Sequence, residues 1–446
     1  MHIRALLTAA ALPLALAAPA AANAASVSPN RVLVRYESAS THHERVAALR
    51  STGTGSAGSL PGGTRLLRIK DGDSASRTVT ELRAQPGVDY AVPDYRIHAA
   101  AAPFVPNDPG RGHPGDWRLL QWNFAGPFGV NAPQAWGLAR QAGVPGARGV
   151  TVAVIDSGVA YRKKGRSRRA PDLTPGAFVA PYDFIDGDKY PLDEENHGTH
   201  VTGTIAQRTN NHLGVTGLSY GVRIMPLRVL DSQGDGDGST FARAIRYAVA
   251  HHAQVINMSV EFDLALRAAD IPEVISAIHY AHDHGLVMVG ASGNDGQQQV
   301  SYPSRDADVI SVGASTVNGC QASYSNGGPG LDVVAPGGGS DAALSGDPWD
   351  DTHCVGDRSG RPIYQQTFLH HDTRHFQLVG FEGTSEATPH VTAVAALIIA
   401  SKVIGAHPTP EAVAQRIEST ARDAGAPGYD TNYGFGLVDA AAAIAP

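Results

Sequence analysis

The chain is poor in cysteine. Its 446 residues contain two, Cys320 and Cys354. That excludes a scaffold built from disulfides and offers no cysteine spacing for a zinc or iron–sulfur centre. Charge is also scarce: 17% of residues are charged, with 35 basic against 42 acidic and a formal net charge of -7. A binder of phosphate backbones is basic, so nucleic acid is not an expected partner. Long apolar runs are missing too. The richest, ALLTAAALPLALAA, is short and interrupted by Pro13. It falls below the roughly 18–20 apolar residues that cross a bilayer.

What is present is small and apolar. The 42% apolar content suffices for a large core and two or three folded units, and 50 glycines with 29 prolines imply many tight turns. Residues 1–24 have the pattern of a removable secretory signal: Arg4, the apolar run, then Ala22-Asn23-Ala24 as a cleavage site. After its removal no membrane contact is expected. In an exported chain Cys320 and Cys354 are expected to pair, which the chain-entropy model values at roughly 3–4 kcal/mol. Two buried free thiols remain the alternative.

Residues 26 to about 100 read as a small α+β unit. RVLVRY and TRLLRI alternate as half-buried strands do, THHERVAALR and SRTVTELR have helical spacing, Pro86 and Gly87 stop the second helix, and VDYAVPDYRI is extended. The proline-rich AAAAPFVPNDPGRGHPGD has linker composition. From about 117 the pattern changes. GVTVAVIDSG, VRIMPLRVLD, AQVINMSV, GLVMVGASG, DVISVGAST and LDVVAPGG are strands apolar on both faces, as in a parallel sheet covered by helices. HGTHVTGTIAQ, TFARAIRYAVAHH, EVISAIHYAHDHG and TPHVTAVAALIIAS intervene as helices, giving one α/β domain. YRKKGRSRR, residues 161–169, reads as a solvated basic loop.

Three polar residues stand where such sheets carry their sites. Asp156 ends a strand, His197 opens a helix, and Ser385 opens another. A serine hydroxyl needs a base within reach, an imidazole serves near neutrality, and a carboxylate fixes the imidazole tautomer. A helix N-terminus beneath Ser385 and the amide of Asn294, in GASGNDG, supply donors for an oxyanion. Alone, each has a plainer reading: a turn residue, one histidine among 19, a helix cap. The order Asp, His, Ser in the contexts D-S-G, H-G-T-H and G-T-S favours the chemical one.

These motifs, VAVIDSGV, NHGTHVTGTIA, VINMS, GASGND and GTSEATPHV, resemble those of subtilisin-like serine peptidases (subtilases) over about residues 117–446. The chain order of the triad is that family's known one. The resemblance implies a three-layer α/β sandwich with a mostly parallel sheet, residues 103–446, behind an inhibitory propeptide, residues 25–102, cut by the enzyme itself between about Ile97 and Asn107. It implies a secreted, monomeric endopeptidase acting on proteins and peptides, inhibited by its own propeptide, with Asp156 as orienter, His197 as base, Ser385 as nucleophile and Asn294 as oxyanion donor. Substrate would pair with the edges around Ser259, Val260, Glu261, Ala291, Ser292 and Gly293, with Ser301 near the pocket floor. Glu261 replaces the family's usual glycine; it restricts the groove, favours basic residues, or is a solvated edge charge. A structural calcium would take Asp172, Asn211, the carbonyls of Leu213 and Val215, and Gln121, with Asp183, Asp186 and Asp188 as a second acidic group.

One residue departs sharply. Family members usually carry methionine after the nucleophile; here Glu386 stands there. It can favour the helix N-terminus by ~0.3–1 kcal/mol, raise the pKa of His197, or displace the oxyanion region. The expectation is a working enzyme with reduced or pH-shifted activity. The alternative is a subtilase-fold binding protein silenced by Glu386. With the family resemblance running to Pro446, the extra β-domain of kexin-like enzymes is not expected.

Overall fold

The computed structural model describes residues 27–70, 74–95, 101–346 and 348–446. The expected signal segment and residues 97–100 of the expected self-cleavage segment lie outside them. The described residues divide into two compact units, 27–95 and 101–445.

The first unit is a four-stranded antiparallel sheet with two helices. Its strands are β1 (Val27–Tyr36), β2 (Gly55–Ser59), β3 (Arg65–Arg68) and β4 (Val88–Tyr95), in the order β2-β3-β1-β4. Helices α1 (His42–Ser51) and α2 (Ala75–Arg83) pack Ala48, Val79 and Leu82 against Val32, Val34 and Leu67. Thr41 and Glu44 form a reciprocal capping box on α1, which fixes where that helix begins. Strand β2, GSAGS, has no alternation to read and is paired through its backbone to β3.

The second unit is built on seven parallel strands in the order β11-β10-β9-β8-β5-β7-β6. They are β5 (Thr151–Asp156), β6 (Tyr182–Asp183), β7 (Arg223–Arg228), β8 (Val255–Met258), β9 (Val287–Ala291), β10 (Val309–Ser315) and β11 (Val333–Pro336). Every residue of β5, β8, β9, β10 and β11 is buried, which explains their unbroken apolar runs. Helices α3 (Ala132–Gln141), α4 (His197–Ala206), α5 (Gly238–Ala250), α6 (Pro272–Asp283), α7 (Thr384–Ser401) and α8 (Pro410–Thr420) cover the two faces. One core cluster joins α7 to β9 and β10 through Val391, Val394, Val289 and Val312; the other joins α5 and α6 to the opposite face through Ile245, Ile278, Ile256 and Met288. A hairpin of β12 (Ile363–Thr367) and β13 (Gln377–Phe381) precedes α7. It mixes polar and apolar residues and was not legible as strand. The expected Cys320–Cys354 disulfide is formed, with Cα atoms 5.7 Å apart.

The basic run at 161–169 is a largely solvated loop, as expected: residues 162–166 and 168 are exposed, Tyr161 anchors its start, and Lys164 pairs with Asp188 at 3.1 Å.

Candidate active site

The ends of parallel strands and the starts of helices converge on one face. Strand β5 carries Asp156 at its C-terminal end, fully buried. Its Oδ1 accepts the Ser157 N–H at 2.7 Å and the His197 Nδ1–H at 2.8 Å. A carboxylate only accepts, so the His197 proton sits on Nδ1 and Nε2 is left as the basic nitrogen.

His197 begins α4, and the turn before it is held by a residue the sequence reading missed. Asp193 is fully buried; it accepts from the Asn196 and Thr199 N–H groups and from the hydroxyls of Ser157 and Thr199. Burial lifts its carboxyl to about 6 against those bonds. The signal was available as an acidic residue just ahead of a helix. Burial lowers the basicity of His197, and the Asp156 charge and hydrogen bond act against it and raise it.

Ser385 lies in the first turn of α7. Its hydroxyl donates to the Ser259 carbonyl at 3.2 Å, and its N–H has no acceptor among the described residues. Asn294 follows β9; its Oδ1 accepts the Thr384 N–H at 2.9 Å and the Thr384 hydroxyl at 3.0 Å. Those bonds fix the amide and leave its Nδ2 hydrogens as donors. His197, Ser385 and Asn294 line one cleft of about 370 Å³. Ser259, Val260, Glu261 and Ala291 line it too. Ser292, Gly293 and Ser301 do not: the Ser292 hydroxyl donates to the Asn326 carbonyl, Ser301 is fully buried, and Gly293 turns at φ +112 against the Asn326 amide. Glu261 accepts the Asn294 N–H at 2.8 Å, so this departure from glycine is tied into the donor loop.

Glu386 points inward. It is 2% exposed, with Oε1 3.5 Å from His200 Nδ1 and 4.0 Å from His197 Nε2.

Elsewhere the residues expected around calcium only partly assemble. Asp172 is fully buried and its two oxygens accept from Asn211 Nδ2 at 2.6 Å and Gln207 Nε2 at 2.8 Å. Burial, with the Asp108 charge adding, pushes its carboxyl up to about 7. Asp108, also missed, accepts the Asn210 and Asn211 N–H groups. Among the described residues nothing is hydrogen-bonded to the carbonyls of Leu213 and Val215. Gln121 is turned to Thr216 instead: its oxygen accepts both the N–H and the hydroxyl there. Asp183 and Asp186 do not form a second ion site. Arg228, 3% exposed, already pairs with Asp183 at 3.2 Å, Asp186 at 3.5 Å and Glu194 at 2.9 Å. A guanidinium occupies the place a cation would take.

A parallel α/β sheet with a buried aspartate hydrogen-bonded to a histidine, and a serine in the first turn of a helix on the same cleft, has the architecture of a serine peptidase. Sequence comparison makes the class specific: residues 147–436 match the Subtilase family model, and residues 14–94 match the fervidolysin N-terminal prodomain. The chain belongs to the Subtilase family and is a serine endopeptidase made with a propeptide. It is 32% identical over 82% of its length to a thermophilic serine proteinase of Bacillus sp. (strain AK1), covering 77% of that protein. To thermitase of Thermoactinomyces vulgaris it is 31% identical over 66% of this chain and 85% of the relative. A solved protease structure from Pseudoalteromonas arctica superposes with a TM-score of 0.60 at 30% identity, covering 76% of this chain and 98% of the other.

Proposed function

We propose that this endopeptidase is a secreted, self-processing enzyme that cuts proteins through an acyl-enzyme, with Asp156, His197, Ser385 and Asn294 in the roles the motifs imply. The observation that carries this is the 2.8 Å Asp156–His197 hydrogen bond opening onto the cleft that also holds Ser385 and Asn294. The Ser385 hydroxyl turns from the Ser259 carbonyl to His197 Nε2, gives up its proton there, and attacks the peptide carbonyl. Asp156 stabilises the imidazolium. Asn294 Nδ2 and the open Ser385 N–H receive the oxyanion. The amine leaves with the His197 proton, and water, deprotonated by the same nitrogen, releases the acid.

In this reading residues 1–24 are the signal, 25–102 the inhibitory propeptide and 103–446 the mature enzyme. Among the described residues no helix is long and apolar enough to cross a membrane. Substrate lies along Ser259, Val260, Glu261 and Ala291. Among the described residues the cleft is lined by four carboxylates, Glu195, Asp235, Asp237 and Glu261, and by no lysine or arginine, which favours cationic peptides.

A structural calcium fits Asp172, Asn211 and the free carbonyls of Leu213 and Val215, with Asp108 joining them and Gln121 left out. The support is a buried carboxylate beside a second one, with the Arg208 charge acting on it but no ion pair to it among the described residues. Calcium would supply the missing positive charge.

The test is expression of the full chain beside Ser385→Ala, with intact mass followed over time. Wild type is expected to shed its leader between about Ile97 and Asn107 and to react with a fluorophosphonate probe, and the variant to do neither. Failure of both in the wild type overturns the assignment.

A further inference from the structure

We propose that Glu386 serves this site as a neutral carboxylic acid that donates its proton to His200 Nδ1, a positioning pair that keeps His197 free to act as a base. The inference rests on the role assigned to His197.

The tautomer of His200 starts the argument. Its Nε2 lies 3.0 Å from the Ile363 carbonyl and 3.3 Å from the Val379 carbonyl. Both partners can only accept, so Nε2 carries hydrogen and the neutral ring presents a lone pair at Nδ1. That lone pair faces Glu386 Oε1 at 3.5 Å. Both atoms are buried and neither has another hydrogen-bond partner. As a carboxylate, Glu386 would set two buried acceptors against each other with nothing between them. One proton satisfies both.

The same proton matters to the neighbouring imidazole. An ionised Glu386 would place a second carboxylate 4.0 Å from His197 Nε2, the nitrogen that must accept from Ser385, while Asp156 holds Nδ1. An imidazole flanked by two carboxylates retains its proton. A neutral acid turned toward His200 removes that competition.

The surroundings agree. Asp156 from β5, Glu195 from the turn before α4, and His197 and His200 from α4 face the carboxyl. Tyr324 from the segment after β10 also feels its charge. On its own helix His390 donates Nδ1 to the Glu386 carbonyl and is held neutral by burial. Among the described residues no lysine or arginine pairs with Glu386. Burial pushes the Glu386 carboxyl up to about 7 and lowers His200 to about 3. Both place the proton on the acid. Phe381 stacks on His200 at 4.5 Å and holds the ring in this plane.

The test uses the full chain with 15N-labelled histidine, as wild type and Glu386→Gln. Glutamine can offer an amide hydrogen to the same lone pair and cannot ionise. At about pH 6, near the free imidazole pKa, His200 is expected neutral in both, with hydrogen on Nε2 and Nδ1 accepting. A charged His200 in wild type that becomes neutral in Glu386→Gln overturns the proposal. The acid limb of kcat/KM gives a second reading. It is expected to move by less than about 0.3 pH unit in Glu386→Gln or Glu386→Met; a fall of about one unit or more would mark an anion beside His197. If Ser385→Ala shows that activity does not arise here, the kinetic arm falls with the functional reading, and the nitrogen spectrum still locates the proton.

Discussion

Ser259 and Ser385 hold each other reciprocally: the Ser385 hydroxyl donates to the Ser259 carbonyl at 3.2 Å, and the Ser259 hydroxyl donates to the Ser385 carbonyl at 2.8 Å. The second bond has a cause in the sequence. Pro389 lies four residues after Ser385 inside α7 and has no N–H to give that carbonyl. Ser259 supplies the missing donor, and its own hydroxyl is oriented by Asn257 Nδ2 at 3.0 Å. Replacing Ser259 with Ala leaves a buried carbonyl unpaired, so thermal unfolding should show a loss of about 1–3 kcal/mol. Loosening of the helix start should also lower kcat by about tenfold. An unchanged melting point and rate would show that this bond holds nothing.

Asn294 has two jobs that one pair of variants separates. Asn294→Asp keeps the oxygen that accepts from Thr384 and removes the donor hydrogens. It should lower kcat by about 10²–10³ with little change in KM or melting point. Asn294→Ala removes both and should cost stability as well.

Calcium dependence should carry a pH signature. Without metal the folded Asp172 carboxyl titrates at about 7, above its unfolded value of about 3.9. A raised carboxyl stabilises the fold fully below the unfolded value, and that contribution is lost as pH rises through the folded one. Metal-free protein should therefore lose stability between about pH 4 and pH 7. Calcium, which takes the ionised form, should raise the melting temperature at about pH 8 and have little effect at about pH 5. Calorimetry with and without chelator tests this, and Asp172→Asn should abolish the difference.

Substrate preference follows from the acidic lining of the cleft. Peptides bearing lysine or arginine should be cut faster than acidic ones of the same length, and the advantage should shrink as salt is raised. Glu261→Gln should reduce that advantage by about twofold to fivefold, as expected for one exposed charge. A peptide-library profile that does not change on this substitution rules Glu261 out as a selector.

The candidate site was suggested by residues at strand ends and helix starts, and its roles by the resemblance of their motifs to those of subtilases. Asp156 ends a run apolar on both faces, and His197 and Ser385 begin helices. The disulfide followed from there being only two cysteines in a chain read as exported. Other features were hidden for physical reasons. Strand β2 is glycine, serine and alanine, held by backbone pairing; β12 buries only alternate side chains and β13 buries none fully. The Arg228 network joins residues from three separate segments, which no local spacing reports. Gln121 matched a motif but found a nearer partner in Thr216. The contact of Glu386 with His200 could have been suspected, because HGTH puts His200 three residues after His197 and on the same helix face.

Helix α7 is buried along nearly its whole length, wrapped by residues from β9, β10, α4 and the C-terminal Ala440–Ile444 helix. Its first turn can be held in place only once those distant segments have closed around the rest of it. A chain still emerging or half collapsed therefore has no cutting edge. The burial that stabilises the finished molecule also delays its danger to itself and to its neighbours until folding is complete.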